Sequence, residues 1–100
     1  MSLYRRAPRR DGNEPEVVKA FTDAGCTVLK ISAPNAPDLV VGIPAPRRVN
    51  ALVEVKQPGE HLREGQAKWA REWRGDRHWI VTNAREAQAL VAYYAGEGEP

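Results

Sequence analysis

Two short stretches decide the fold of this 100-residue chain: APDLVVG at residues 36–42 and ALVEVKQPG at residues 51–59. Both contain an apolar run with the composition of a buried β-strand. Yet Asp38 opens the first run, and Glu54 and Lys56 lie inside the second. Because burying a charged group is costly unless it is paired or binds a metal, these three residues require an explanation.

The rest of the chain supplies helices and further strands around these runs. Apolar periodicity and turn residues predict helices over residues 13–25, 62–75 and 83–96, and strands over residues 26–31, 38–43, 51–56 and 78–82. The prolines of residues 44–50 predict a turn between the second and third strands. The order αβββαβα, with strands that are apolar on both sides, predicts an α/β (α+β) fold in which helices flank a mixed central sheet of about four strands.

Local signals place the ends of the helices. Asn13 is the expected N-cap of the first helix, and Asn83 and Glu86 have the spacing of a capping box for the last. The expected helix stops are the glycines that follow each periodic segment, Gly25, Gly75 and Gly96.

Length and composition indicate one domain. We predict a basic N-terminal arm over residues 1–12, a single domain over residues 13–96 and a frayed tail over residues 97–100. No apolar run approaches the roughly 20 residues of a membrane span, and the N-terminus has no apolar signal core. The single cysteine, Cys26, is expected to be a buried thiol. We therefore expect a cytoplasmic location, no membrane contact and no small-molecule cofactor.

The net charge of +2 is small, but the arginines are clustered. The first ten residues contain four of them, Arg5, Arg6, Arg9 and Arg10. Their guanidinium groups suit phosphate, although charge alone equally allows a solvated tail. Arg47 and Arg48 fall in the predicted turn between strands, where we expect them to be solvated.

Strand geometry brings the charged residues of the opening stretches together. Side chains alternate along a strand, so Glu54 and Lys56 point to the same face, about 7 Å apart. If the second and third strands pair, Asp38 lies beside them. Carboxylate oxygens at one sheet edge suit a hard cation, and the sequence has no His/Cys cluster typical of zinc. The alternative is a structural Glu54–Lys56 ion pair with Asp38 as a turn residue.

Two helical residues point towards the same region. Glu14 lies one turn before Val17 on the core-facing side of the first helix, although it also fits as a first-turn acid that complements the helix dipole. Gln66 lies on the apolar face of the second helix, where a structural amide at the core rim is the alternative. Glu16 is a second candidate acid, but it lies on a different face, so we favour Glu14.

These residues together resemble the PD-(D/E)xK nuclease superfamily. The pattern consists of Glu14, then Pro37–Asp38, then the EVK of residues 54–56, then Gln66. Within that superfamily, NAPDLVVG followed by ALVEVKQPGEHLREGQAKWAREWRG is similar to the VRR-NUC branch, a relative of Holliday-junction resolvases. The resemblance covers about residues 13–92 and implies a restriction-endonuclease-like fold.

The resemblance also implies an activity, that of a metal-dependent DNA endonuclease. Asp38, Glu54 and the Val55 carbonyl would hold Mg²⁺, or Mn²⁺ in its place, and Glu14 would bind it through water or hold a second ion. Lys56 would position a water or stabilise charge on the phosphate, and Gln66 would orient Lys56 or a water.

The predicted contacts with DNA are to its backbone, which favours selectivity for branched or duplex structure over sequence. They come from the four arginines of the arm and from Ser32. The alternative for Ser32 is that it is an ordinary turn residue with no contact to phosphate. We expect a homodimer, because cutting two strands needs two sites. Part of the aromatic set Trp69, Trp73, Trp79, Tyr93 and Tyr94 would lie at its interface, with most of it in the core. The rival functions are a catalytically silent nucleic-acid-binding module and a domain that binds other proteins.

Overall fold

The computed structural model describes residues 12–44 and 46–96. The predicted tail and the predicted arm up to residue 11 lie outside these residues, and so do the four arginines of the arm. The described elements are α1 (Glu14–Asp23), β1 (Thr27–Lys30), β2 (Leu39–Ile43), β3 (Val49–Val55), α2 (Glu64–Glu72), β4 (Trp79–Val81) and α3 (Ala84–Tyr94). This order confirms the predicted αβββαβα arrangement. No helix in the described ranges is long and apolar enough to cross a membrane.

The strands of the described part of the chain form one mixed sheet in the order β1-β2-β3-β4. The β1–β2 and β2–β3 pairs are antiparallel, and β3–β4 is parallel. A parallel pair needs a crossover connection, and α2 lies in the segment that makes it. The predicted α/β class and the mixed sheet are confirmed, and the arrangement is consistent with the restriction-endonuclease-like fold.

The hydrophobic core lies between one face of the sheet and the helices α1 and α3. Val17 and Phe21 of α1 are fully buried, as is Ala87 of α3. On β3, the buried residues Ala51, Val53 and Val55 belong to this core cluster. Strand alternation therefore turns Leu52, Glu54 and Lys56 to the opposite face, as the sequence predicts.

The second face of the sheet is the one that α2 approaches. Gln66 of α2 is buried and hydrogen bonds to Glu54 of β3. Farther along, Leu52 of β3 and Trp73, just after α2, line one shallow cavity. The polar end of β3 is thus enclosed by α2, which explains how charged residues of a central strand become buried.

Two sequence predictions of element ends need correction. Residues 49 and 50 belong to β3 rather than to the turn, because Val49 pairs with Ile43 and Asn50 with Gly42. Helix α2 ends at Glu72, before the predicted stop at Gly75, because Trp73 takes an extended conformation and stacks on Trp69.

The helix caps are only partly as predicted. Asn83 accepts a hydrogen bond from the Glu86 amide, but the Glu86 carboxylate accepts from the Thr82 amide, so the capping box is half formed. The stops at Gly25 and Gly96 are confirmed by φ values of 92° and 91°, a region that glycine enters without steric cost.

The aromatic residues are less buried than predicted. Trp79 and Tyr94 pack against the core and share a 3.0 Å hydrogen bond from Trp79 Nε1 to the Tyr94 hydroxyl. Trp69 and Trp73 instead stack on each other outside the core cluster, with ring centroids 4.8 Å apart. Trp73 is 46% exposed, so the second pair is a surface feature.

Candidate functional site

The buried polar side chains define the site. Among the described residues, four polar or charged residues are buried: Glu14, Glu54, Lys56 and Gln66. All four are residues that the sequence singles out as candidate catalytic groups. Buried charges are rare in small domains unless they are paired or functional. Their burial in this chain therefore indicates that these side chains have specific partners or a role in function.

Asp38 is fixed at the start of β2 by both neighbouring strands. Its backbone carbonyl accepts a 2.7 Å hydrogen bond from the Ile31 amide, which prolongs the β1–β2 pairing. Its side-chain Oδ2 accepts a 2.7 Å hydrogen bond from the Val55 amide. Because β3 extends past the start of β2, the Asp38 carboxylate takes a hydrogen bond that no β2 residue accepts. This hydrogen bond places the Asp38 side chain beside the end of β3, next to Glu54.

Glu54 is held in a polar but enclosed environment. Gln66 Nε2 donates a 3.0 Å hydrogen bond to Glu54 Oε2, and Gln66 Oε1 accepts one of 2.9 Å from the Arg63 amide. Gln66 was predicted to orient Lys56 or a water, whereas its observed contact is with Glu54. The amide is locked at the N-terminus of α2, so it presents its NH₂ group to the carboxylate.

The pKa of the Glu54 carboxyl is raised from 4.5 to about 8. Burial is the largest cause, followed by the negative charge of Asp38. The positive charge of Lys56 opposes the rise, a hydrogen bond with the Asp38 side chain adds to it, and the charge of Arg63 opposes it. Two carboxyl groups that share a hydrogen bond cannot both be ionised easily, so a cation between them would relieve their repulsion.

Lys56 lies between two carboxylates. Its Nζ is 4.0 Å from Glu54 Oε2 and 3.9 Å from Glu60 Oε2, and its side chain is only 3% exposed. Glu60 is held in the turn after β3, where its Oε1 accepts a 2.8 Å hydrogen bond from the Gln57 amide. The sequence analysis did not single out Glu60, because it falls in a polar turn with no periodic signal.

Glu14 is buried at the first turn of α1, as predicted, and Lys30 Nζ lies 3.6 Å from its Oε2. It does not line the cavity that holds Asp38 and Glu54. Glu16 is exposed and accepts a hydrogen bond from the Ala84 amide at the start of α3. The choice of Glu14 over Glu16 as the buried acid therefore agrees with the structure, and its catalytic role stays a prediction.

Asn13 is a positioning residue that sequence analysis missed. It is the N-cap residue of α1, as predicted, but its side chain does not cap the helix. Instead, Asn13 Nδ2 donates to the Lys56 carbonyl at 2.9 Å and to the Thr82 carbonyl at 2.8 Å. Its Oδ1 accepts from Gln57 Nε2 at 3.0 Å. Asn13 thus ties α1 to the ends of β3 and β4, directly behind the candidate lysine.

A polar cleft of about 210 Å³ brings the site together. Its charged or amide-bearing walls include Asp38, Glu54, Lys56, Arg63 and Gln66, and the loop of residues 33–36 lines the opposite side. Ser32 is exposed and is not part of the lining, and Arg47 and Arg48 are exposed in the turn at the other end of β2 and β3. The cleft is smaller than the roughly 300–1,000 Å³ of typical small-molecule pockets.

The carboxylates of the cleft suit a hard cation that keeps most of its water. Within residues 12–44 and 46–96, no group of three or more His, Cys, Asp or Glu side chains is arranged to hold a metal ion. Asp38 and Glu54 provide two carboxylates, and Mg²⁺ commonly binds proteins through one or two carboxylates plus waters and substrate phosphates. The donor set therefore fits Mg²⁺ better than an ion that needs a full protein cage.

A mixed sheet of this order, with a buried carboxylate–lysine site at the end of its central strands, defines a nuclease-like α/β domain. The comparisons identify the family. The VRR-NUC domain family matches residues 16–89, and the chain therefore belongs to the VRR-NUC domain family. Glu14 lies just before the matched segment.

A solved structure supports the same assignment. A structure described as a VRR_NUC domain is similar to this chain with a TM-score of 0.65 and 28% sequence identity, over 81% of this chain and 91% of the other. A search of curated protein sequences found no significant match. The resemblance stated from the sequence is thus confirmed at the level of the family.

Proposed function

We propose that the chain is a metal-dependent endonuclease of the PD-(D/E)xK type that cuts DNA at the cleft between β2, β3 and α2. The observation that carries the proposal is the convergence of Asp38, Glu54, Lys56 and Gln66 on one small polar cleft. Membership of a nuclease-like family supports it independently. Each of these residues was expected to serve phosphodiester hydrolysis.

Asp38 and Glu54 would hold the ion, Mg²⁺ or Mn²⁺, with the Val55 carbonyl as a further ligand and Glu14 as a second-site acid. When bound, such an ion polarises a phosphodiester and lowers the pKa of a bound water. What the chain contributes is orientation. The Val55 amide fixes the Asp38 side chain, and Gln66 fixes that of Glu54, so both carboxyl groups are held in position before the ion binds.

Lys56 would stabilise the negative charge that grows on the phosphate as the bond to the leaving oxygen breaks. A preorganised cation in a site with little water is worth far more than one in bulk solvent. The contacts with Glu54 and Glu60 hold the Lys56 ammonium in place. The Asn13 hydrogen bond to its carbonyl fixes the backbone that carries it.

The proposed substrate is branched or duplex DNA, held by backbone contacts, and the proposed active form is a homodimer. Backbone contacts position a nucleic acid without reading its sequence. The described residues form a single cleft with this set of candidate catalytic groups, so a second copy would supply the second site for cutting both strands of a duplex or junction. Analytical ultracentrifugation of the full chain, alone and with a four-way junction, tests the dimer directly.

The decisive experiment is a cleavage panel of labelled four-way junction, flap, duplex and single-stranded DNA. The wild-type chain should cut at least one of these with Mg²⁺ or Mn²⁺ and none with EDTA, and Asp38→Asn should cut none under either condition. Binding of the panel without cleavage under every metal condition would favour the alternative function, a catalytically silent nucleic-acid-binding module. If the wild-type chain neither binds nor cuts any DNA of the panel, both the endonuclease and the nucleic-acid-binding module are rejected.

A further inference from the structure

Arg63 lies at the mouth of the candidate cleft, at a position the sequence analysis did not single out. It is the N-cap residue of α2, in an extended conformation, and its amide donates to Gln66 Oε1 at 2.9 Å. Its side chain lines the same cleft as Asp38 and Glu54. The backbone bond to Gln66 fixes where the arginine leaves the helix, while its exposed side chain remains able to meet a ligand.

The position of Arg63 is set by a close contact between α2 and the opposite wall. An added Cβ on Gly65 would lie only 2.5 Å from Asn35 Oδ1. Asn35 itself has a φ of 65°, a region that asparagine tolerates better than most residues. Glycine at position 65 thus allows the loop of residues 33–36 to pack against the first turn of α2, so the cleft has a defined width with Arg63 on one side.

At the cleft, the charge of Arg63 opposes the rise in the pKa of Glu54, yet the two side chains form no salt bridge. Lys56 is shared by Glu54 and Glu60, and Asp38 and Glu54 would be offset by the proposed divalent ion. No carboxylate of the described ranges forms an ion pair with Arg63. A phosphodiester entering the cleft brings one negative charge, and that charge increases during hydrolysis. Arg63, on the rim of the cleft, can balance part of this charge together with Lys56.

We propose that Arg63 binds a phosphate of the nucleic-acid backbone at the mouth of the cleft, donating to its non-bridging oxygens. A guanidinium is suited to this contact because its planar fork donates two parallel hydrogen bonds to one phosphate, which an ammonium does not. The inference rests on the proposed nuclease function, and it extends that function by naming a residue for substrate binding in the folded domain itself.

The test compares Arg63→Gln with Arg71→Gln, a matched control in the last turn of the same helix. Affinity for the DNA of the panel is measured with Ca²⁺ in place of Mg²⁺, over a range of salt concentrations. Arg63→Gln should weaken binding about 3- to 30-fold and reduce the slope of log affinity against log salt by about 0.9, the loss of one phosphate contact. Arg71→Gln should leave both unchanged. With Mg²⁺, Arg63→Gln should raise KM more than it lowers kcat.

Arg63→Lys separates charge from geometry. It should keep the salt slope of the wild type and recover only part of the affinity, since the ammonium lacks the fork. Equal affinity and slope for Arg63→Gln and Arg71→Gln, with a wild type that still binds and cuts DNA, would overturn the inference and leave the nuclease proposal standing. A wild type that neither binds nor cuts DNA would overturn both.

Discussion

The Asp38 carboxylate accepts a 2.7 Å hydrogen bond from the amide of Val55, so a side chain at the start of β2 is fixed against the end of β3. Residues 17 positions apart in sequence are thereby joined next to Glu54. This bond stabilises the fold, because a partly buried amide without an acceptor costs free energy, and the proposed function gives Asp38 a second role. The two roles of Asp38 are separable by substitution.

Asp38→Asn and Asp38→Ala separate those roles. Asparagine keeps an oxygen that accepts from the Val55 amide, so its free energy of unfolding should stay close to that of the wild type. Alanine leaves the amide without an acceptor and should cost about 1–3 kcal/mol. Both should lack metal-dependent cleavage. Urea denaturation and the cleavage panel measure the two effects, and a fully active Asp38→Asn variant would remove Asp38 from the proposed site.

The raised pKa of Glu54 predicts a pH dependence of stability without metal. Between pH 4.5 and about 8 the folded chain retains a proton on Glu54 that the unfolded chain has released. Since the folded state then binds more protons, the free energy of unfolding falls as the pH rises through this window. The loss of stability is complete once the pH exceeds the pKa of Glu54 in the folded chain. There is no loss below the pKa of Glu54 in the unfolded chain.

Glu54→Gln removes this dependence. In EDTA, the variant should gain stability relative to the wild type as the pH rises from 4.5 to about 8, because its amide stays neutral. Urea denaturation at several pH values measures the free energy of unfolding of both chains. Subtracting the wild-type value from the variant value cancels the contributions of the other titrating groups. A difference that does not change with pH would mean that Glu54 is not held protonated in the folded chain.

Lys56→Met tests the buried ammonium. Methionine fills much of the same volume, so the substitution removes the charge with little loss of packing. Cleavage should fall on the order of a hundredfold or more, while DNA affinity with Ca²⁺ should change little. Circular dichroism checks the fold. Near wild-type cleavage by Lys56→Met would show that the lysine is a structural partner of Glu54 and Glu60 only.

Asn13→Ala tests the link between α1 and the site. It removes the donor to the Lys56 and Thr82 carbonyls and should lower the free energy of unfolding by about 1–3 kcal/mol. Asn50→Ala, at an exposed position of β3, is the control and should cost less. If both variants unfold at the same urea concentration, Asn13 does not hold the strand ends together.

The sequence predicts the central part of the site because charge stands out against apolar surroundings. Glu54 and Lys56 interrupt a strand, and Gln66 interrupts the apolar face of a helix, so burial of all three follows from periodicity alone. Sheet pairing then places Asp38 beside them. These inferences need only local patterns and one correct strand pairing.

The missed residues depend on contacts that no local pattern records. Asn13 reaches carbonyls 43 and 69 residues away in sequence, although it looks like an ordinary helix cap. Glu60 and Arg63 lie in a polar segment where every charge looks solvated. Helix α2 ends early, at Glu72, where Trp73 takes an extended conformation and stacks on Trp69, a local aromatic contact that the glycine stop signal does not reveal.

The most direct test of the central claim is ion binding by the protein alone, without DNA. Electron paramagnetic resonance of free Mn²⁺, titrated into the wild type, Asp38→Asn and Glu54→Gln at equal protein concentration, counts the bound ions. We predict saturable binding by the wild type, strongly weakened in both variants and competed by Mg²⁺. Equal Mn²⁺ binding by all three chains, or none by the wild type, would contradict the claim that Asp38 and Glu54 together hold a divalent cation.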